Sequence, residues 1–442
     1  MNIYALSSGR GPSGIAIIRL SGKDTIEISK LISQKKVISA NETNLCKFYD
    51  PKDKCLIDEG ILLLFNAPNS FTGENLVEFH VHGSNAVISK FLKVLSFQKN
   101  CRPAEPGEFT KIAFQNNKID LVEAESIGDL IHAETELQRV QAVKLVQGNA
   151  SDYYNELREK LIKSLAYIEA KIDFAEDDLP ESILRDVKKS ISEVHSEIKK
   201  ILEDNKVGEK IRNGFKVSII GEVNAGKSSL LNLLSKREVA IVSEEKGTTR
   251  DIIEVYLNID GYPVILSDTA GIRDSGSEIE KKGISLAIKK SIESDLNLIL
   301  IDNTSVNIDI KIKNLINENS IVVFNKSDIS SREKSNFVDT DSLLISVKNN
   351  KNIDKLIKKI KEKLSVKMSS YGNVLISRER HRNKLTNCLK EIDNFLKKNH
   401  NQEIEIAAED LRMATRHLGG IVGKVDIEEV LGSIFKDFCI GK

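Results

Sequence analysis

Eight residues in the middle of this 442-residue chain have the types and spacing to hold a polyphosphate. Gly221-Glu222-Val223-Asn224-Ala225-Gly226-Lys227-Ser228 reads G-x-x-x-x-G-K-S. An apolar run, Phe215 to Ile220, precedes it, and Leu230, Leu231, Leu233 and Leu234 follow, so a strand should enter the loop and a helix should leave it. The glycines let backbone N–H groups close around phosphate oxygens. The helix N-terminus adds partial positive charge. Lys227 would reach the outer phosphates and Ser228 would ligate Mg²⁺.

Three further segments extend this chemistry, each just past an apolar run. Asp268-Thr269-Ala270-Gly271 follows Val264 to Leu266. Asp268 would orient Mg²⁺ through water, and the Gly271 N–H would meet the terminal phosphate. Asn325-Lys326-Ser327-Asp328 follows Ile321 to Phe324. A carboxylate there accepts two hydrogen bonds from the guanine N1–H and exocyclic amine. Adenine lacks that donor pair and would leave the carboxylate unpaired, so the motif selects GTP over ATP. Ser346-Val347-Lys348 would supply a backbone N–H to the guanine carbonyl, with Val347 where alanine is usual. Four such elements in this order predict a GTPase.

The catalytic part is less direct. Ile272 follows Gly271, where Ras-like enzymes carry a glutamine that orients the attacking water. Either hydrolysis is very slow or the water is organised from elsewhere. Gly247-Thr248-Thr249-Arg250-Asp251 reads as a switch whose Thr249 hydroxyl joins the Mg²⁺ shell. Arg250 is either an arginine finger or a structural partner of Asp251.

The elements that must position these residues follow from texture. From 213 to 367 strand-like runs alternate with helical stretches, which predicts a mostly parallel sheet covered by helices. Residues 119–212 carry Leu157, Leu161, Leu165, Ile168 and Ile172 at helical spacing, and helical texture resumes over 368–442. Residues 1–118 mix short apolar runs with a helix over 85–97, an α+β domain. The expected architecture is therefore multi-domain α+β. An N-terminal α+β domain precedes a helical domain that is interrupted by an inserted Ras-like P-loop α/β GTPase domain. Lys+Arg and Asp+Glu both total 65, which excludes a protein that grips nucleic acid mainly through an overall positive field. Five scattered cysteines argue against a disulfide framework. With no signal peptide evident and no long apolar run, the chain reads as soluble and cytoplasmic.

Over essentially its full length the chain resembles the MnmE (TrmE) family of tRNA modification GTPases. The residues that carry the likeness are the phosphate loop with Asn224, Gly247 to Asp251, Ser70-Phe71-Thr72-Gly73-Glu74, Ala104-Glu105-Pro106-Gly107-Glu108-Phe109, and the terminal Cys439-Ile440-Gly441-Lys442. Val223 departs from the family's usual proline. The resemblance implies a K⁺-dependent GTPase activated when two GTPase domains meet, in a homodimer. K⁺ would lie on Asn224 with oxygens of Ser243, Glu245 and Thr248, where its charge replaces an arginine finger. Glu280 would organise the water that Ile272 cannot. Nucleotide contacts would fall on Asn224 to Ser229 (through Ala225, Gly226, Lys227 and Ser228), Ser243, Thr248, Thr249, Asp268 to Gly271, Asn325, Lys326, Asp328, Ser346 and Lys348. Lys227, Thr249 and Glu280 would carry catalysis.

The resemblance further implies a 5-formyl-tetrahydrofolate-type one-carbon donor on Arg19, Glu78, Lys118 and Lys442. It also implies an FAD-bearing partner of the MnmG (GidA) type in a heterotetramer, and tRNA as substrate, with an aminomethyl or carboxymethylaminomethyl group added at C5 of the wobble uridine. Cys439 is either a nucleophile or a positional residue. His80 and His82 are either a metal pair or two side chains sharing one sheet face. The rival expectation is a ribosome-assembly switch of the Era or Der type, without one-carbon chemistry.

Overall fold

The computed structural model describes residues 1–9, 11–173, 182–222, 224–237, 240–241, 254–268, 288–304, 310–330, 342–368, 374–398, 403–425, 438 and 441. The chain forms two compact units. One comprises Met1–Gly128, Val146–Glu159 and Thr415–Lys442; the other comprises Asp129–Leu145 and Lys160–Ala414.

The first unit is built on a sheet of β1 (Asn2–Leu6), β2 (Ser13–Ser21), β3 (Asn44–Tyr49), β4 (Leu56–Phe65), β5 (Leu76–Gly83) and β6 (Cys101–Pro103), in the order β3-β4-β5-β2-β1-β6. The period of two along β2 and β5 sorts their side chains between faces. Ala16, Ile18, Leu20, Val77, Phe79 and Val81 are buried, and Phe48, Phe79 and Phe91 meet with ring centroids 4.9–5.6 Å apart. The alternate residues, Arg19, Glu78 and His80, therefore lie on the other face, beside a smaller cluster of Ile3, Ala5, Ala104 and Phe109. β1 carries no alternation in its sequence because Asn2, Ile3, Tyr4 and Ala5 are all buried.

The second unit holds β7 (Phe215–Gly221), β8 (Ala240–Ile241), β9 (Glu254–Ile259), β10 (Tyr262–Asp268), β11 (Leu296–Asp302), β12 (Ser320–Asn325) and β13 (Ser342–Leu344), ordered β13-β12-β11-β7-β10-β9-β8. The pairs β7–β10, β7–β11, β11–β12 and β12–β13 are parallel; β9 joins β10 antiparallel through a hairpin at Asp260 and Gly261. The central strands are near-continuous apolar runs, as strands buried on both faces must be. Phe215, Val217, Ile219, Leu298, Leu300, Ile321 and Val323 are fully buried. The chain goes from β7 out to β9 and β10 on one side and then to β11 on the other. The carboxyl end of β7 is thus a topological switch point, where open α/β sheets bind ligands.

Helices Leu121–Ile131, Glu136–Val146, Asn149–Asp173, Ser182–Leu202 and Val207–Asn213 precede this sheet, and Glu379–Lys397 and Ile404–Val422 follow it. One carboxylate clamps the chain on both sides of the inserted sheet: Asp129 accepts Arg212 Nε at 2.9 Å and Arg378 Nη2 at 2.7 Å. Among the described residues no helix is long and apolar enough to cross a membrane.

Candidate nucleotide-binding site

The phosphate loop runs from the end of β7 into the helix Lys227–Arg237. Its two motif glycines are there for different steric reasons. A Cβ at Gly221 would stand 2.1 Å from the Leu300 carbonyl oxygen, because β11 pairs closely alongside. At Gly226, φ is +97° and a Cβ would meet Asn325 Nδ2 at 2.4 Å. With Asn224 also left-handed at φ +64°, the loop backbone curls into a concavity of the anion-binding kind. Lys227 is buried and turns back into the loop, donating to the Gly221 and Glu222 carbonyls at 2.8 Å each. A phosphate seated there meets that ammonium and the N-terminus of the helix together. Ser228 is the second residue of that helix, and Asp268 ends β10 as the register partner of Ile219 on β7. Ser228 would offer Mg²⁺ a hydroxyl oxygen at the start of that helix, the hard donor type the ion prefers.

The guanine side interlocks with the phosphate side through Asn325, which is 3% exposed. Its Nδ2 donates to the Ala225 carbonyl at 2.9 Å, and its Oδ1 accepts the Val347 N–H at 3.1 Å. One amide thus ties three of the sequence elements together. Ser346, fully buried, donates its hydroxyl to Asp328 Oδ1 at 2.6 Å and accepts the Asn349 N–H at 3.1 Å. That hydroxyl, helped by a backbone N–H and by the Lys348 and Lys326 charges, outweighs desolvation and holds the Asp328 carboxyl below the ordinary range. Asp328 is therefore an acceptor at neutral pH, the state that guanine recognition needs. Lys326 has φ +65° and pairs with Asp302 at 2.6 Å. Sequence reasoning missed the bridging geometry of Asn325, because the motif names a residue type and not its partners.

A second group lies on the first sheet. Arg19 and Glu78 are register partners on β2 and β5, and their side chains form an ion pair at 2.7 Å. The Arg19 guanidinium stands 5.6 Å from the ring centroids of both Phe71 and Phe109. Lys118 Nζ donates to the Pro68 carbonyl at 3.0 Å, so Lys118 and Phe71 belong to the surroundings of one loop. Cations, a carboxylate and aromatic faces suit a flat ligand with carboxylates, which is what a folate is. Gly441, at φ +104°, accepts the Ser7 hydroxyl at 2.7 Å, which brings the carboxyl-terminal tail to the end of β1. His80 pairs with Glu78 at 3.4 Å and His82 with Asp58 at 2.9 Å, two separate carboxylates. No group of three or more His, Cys, Asp or Glu able to hold a metal occurs among the described residues. Ser243, Glu245, Thr248, Thr249, Arg250, Thr269, Ala270, Gly271, Glu280, Cys439 and Lys442 lie outside the described residues.

A mostly parallel sheet with a phosphate loop at its switch point and an Asn-Lys-x-Asp loop tied to it defines a P-loop GTPase. Comparison with known proteins narrows the class. The family model for the GTP-binding protein TrmE N-terminus matches residues 2–118, and that for the MnmE helical domain matches 121–439. The tRNA modification GTPase MnmE of Pelagibacter ubique is 57% identical over 443 residues, covering 100% of both chains. That of Rickettsia bellii is 42% identical over 448 residues, covering 100% of this chain and 99% of the relative. A crystal structure of Aquifex aeolicus Era bound to GDP.AlF4- is 30% identical at a TM-score of 0.27, over 33% of this chain and 56% of that one, too partial a likeness to argue from. The chain belongs to the MnmE family of tRNA modification GTPases, a class of GTP-hydrolysing enzymes that works on a guanine nucleotide with Mg²⁺. Full-length kinship with that family does not favour the ribosome-assembly alternative.

Proposed function

We propose that this chain is a K⁺-dependent GTPase, switched on when two copies of its GTPase domain pair, that acts in modification of C5 of the tRNA wobble uridine together with an FAD-dependent MnmG-type partner. The observation that carries the nucleotide half is the Asn325 bridge, which couples the phosphate loop, the guanine carboxylate and the Ser346 segment. Lys227 holds the outer phosphates; Ser228 and Thr249 would hold Mg²⁺, which would supply positive charge beside them. Asp328 takes the guanine edge. With the Val347 N–H on Asn325, the contact to the guanine carbonyl falls to Lys348. Asn224, exposed and left-handed at the loop's rim, is the described member of the K⁺ set, with Ser243, Glu245 and Thr248 completing it. A monovalent cation there supplies positive charge beside the phosphates. Glu280 orients the water.

On the first unit, Arg19, Glu78, Lys118 and Lys442 bind the one-carbon donor, and residues 1–118 carry dimerisation. The segments 119–212 and 368–442 are the two halves of the helical domain around the GTPase domain 213–367. Turnover in KCl against NaCl tests the cation, and equal rates would refute it. Nucleoside analysis of tRNA from cells lacking the protein tests the substrate. The expected result is loss of the C5 group at the wobble position; an unchanged nucleoside profile would overturn the assignment.

A further inference from the structure

The strand beside the guanine loop ends at Asp302 and Asn303 follows it; no motif gives either a role. The structure ties both to that loop. The Asn303 N–H donates to the Asn325 carbonyl at 2.9 Å, and Asn303 Nδ2 donates to the Ser330 carbonyl at 2.6 Å. The first bond grips the loop where it leaves β12, and the second grips it five residues on. Between them Asp302 Oδ2 accepts Lys326 Nζ at 2.6 Å. Asp302 is itself fixed, since its Oδ1 accepts the Thr304 N–H at 2.9 Å and the Thr304 hydroxyl at 2.7 Å. The Asp302 side chain is 15% exposed and Asn303 7%, so neither is a loose surface group.

The residue that Asp302 holds is conformationally costly. Lys326 is left-handed, and a side chain persists in that region only when its surroundings over-determine it. Lys326 also stands two residues before Asp328, so its backbone sets the direction of the carboxylate. We propose that Asp302 is a positioning residue for guanine recognition: through Lys326 it fixes the left-handed turn that aims Asp328 at the base, while Asn303 clamps the loop on either side. This rests on the assignment of Asn325 to Asp328 as the guanine site.

The test uses the full chain with GDP and with IDP, which lacks the exocyclic amine. The ratio of their affinities reports how well Asp328 is aimed, because only GDP offers both donors. Asp302→Asn should cut the GDP-over-IDP ratio about fivefold, and the same change in a Lys326→Met background should cut it no further, as expected when one residue acts through the other. A brace for the sheet alone would lower the melting temperature and leave the ratio untouched. That outcome, or equal and additive cuts in both backgrounds, overturns the proposal. Should Asp302→Asn fail to fold, Asp302→Ser takes its place, and failure of both assigns Asp302 to the scaffold and also overturns it. A wild-type chain that binds ADP as tightly as GDP would sink the guanine assignment itself. That result is distinct from a guanine-selective wild type whose variants keep their ratio.

Discussion

The two sheets of this chain hold their ligand candidates in opposite ways. In the second unit the candidate residues sit at or just past strand ends, in segments that one buried amide, Asn325, stitches together. In the first unit the central pair sits within the strands, where Arg19 and Glu78 meet only because β2 and β5 pair in that register. Loop residues at a parallel sheet's edge aim backbone N–H groups at a ligand and leave the strands free to be core. Strand residues present side chains across a face, so their site depends on the sheet itself. The first arrangement should break at single contacts with large functional loss. The second should break with a structural cost confined to its own sheet.

The largest effect is expected at Asp328. Asp328→Asn exchanges an acceptor for a donor opposite the guanine N1–H, so GDP affinity should fall by about three orders of magnitude. Xanthosine diphosphate should become the preferred ligand. Competition binding with the two nucleotides decides the matter, and retained guanine preference would place base recognition away from the strand-end loops. Asn325→Ala comes next. It leaves the Ala225 carbonyl and the Val347 N–H without their partner in a buried place, a cost of about 3 kcal/mol, or roughly a hundredfold in nucleotide affinity. Loss of less than about threefold, measured by fluorescent-nucleotide titration, would mean that the loops are held independently.

The same contrast explains what the sequence made legible. The phosphate loop, Asp268 and the Asn325–Asp328 motif are each contiguous in sequence and each sits where a strand ends, so residue spacing carried the site although the sheet places the phosphate loop between the other two. The strand runs carried the sheet, because burial on both faces leaves an unbroken apolar stretch such as Ile321 to Phe324. Arg19 and Glu78 are 59 residues apart, and nothing in spacing joins them. Only the family resemblance singled them out, and only the register of β2 with β5 makes them a pair. Likewise the Asp302–Lys326 pair spans two strands and has no local signature. β1 was silent because both its faces are buried and an asparagine is among the buried residues.

On the first sheet, Arg19→Ala removes the arginine partner of a largely buried Glu78 and the cation lying against Phe71 and Phe109. The expected cost is about 2 kcal/mol of stability. Calorimetry should register it, while nucleotide affinity stays within about twofold of wild type because independent sites add. A large fall in GDP affinity in this variant would break the comparison, since it would mean that the strand-borne group and the loop-borne group are one coupled system.

The smallest effect tests how finely the strand-end loops tune their one carboxylate. The Ser346 hydroxyl is the largest influence holding Asp328 below the ordinary carboxyl range. A depressed pKa in the folded state favours the ionised form. Guanine recognition is therefore fully present above the ordinary carboxylate pKa and is lost as pH falls through the lowered value. Ser346→Ala removes that hydrogen bond, so the loss should begin at a higher pH than in wild type, with affinity near neutrality almost unchanged. GDP titrations from about pH 7 down to about pH 4 would resolve the displacement, with Asp328→Asn as the profile that lacks this acid limb altogether. Coincident curves for wild type and Ser346→Ala would mean that the hydroxyl only anchors the loop through Asn349 and leaves the acidity of the base-recognising group alone.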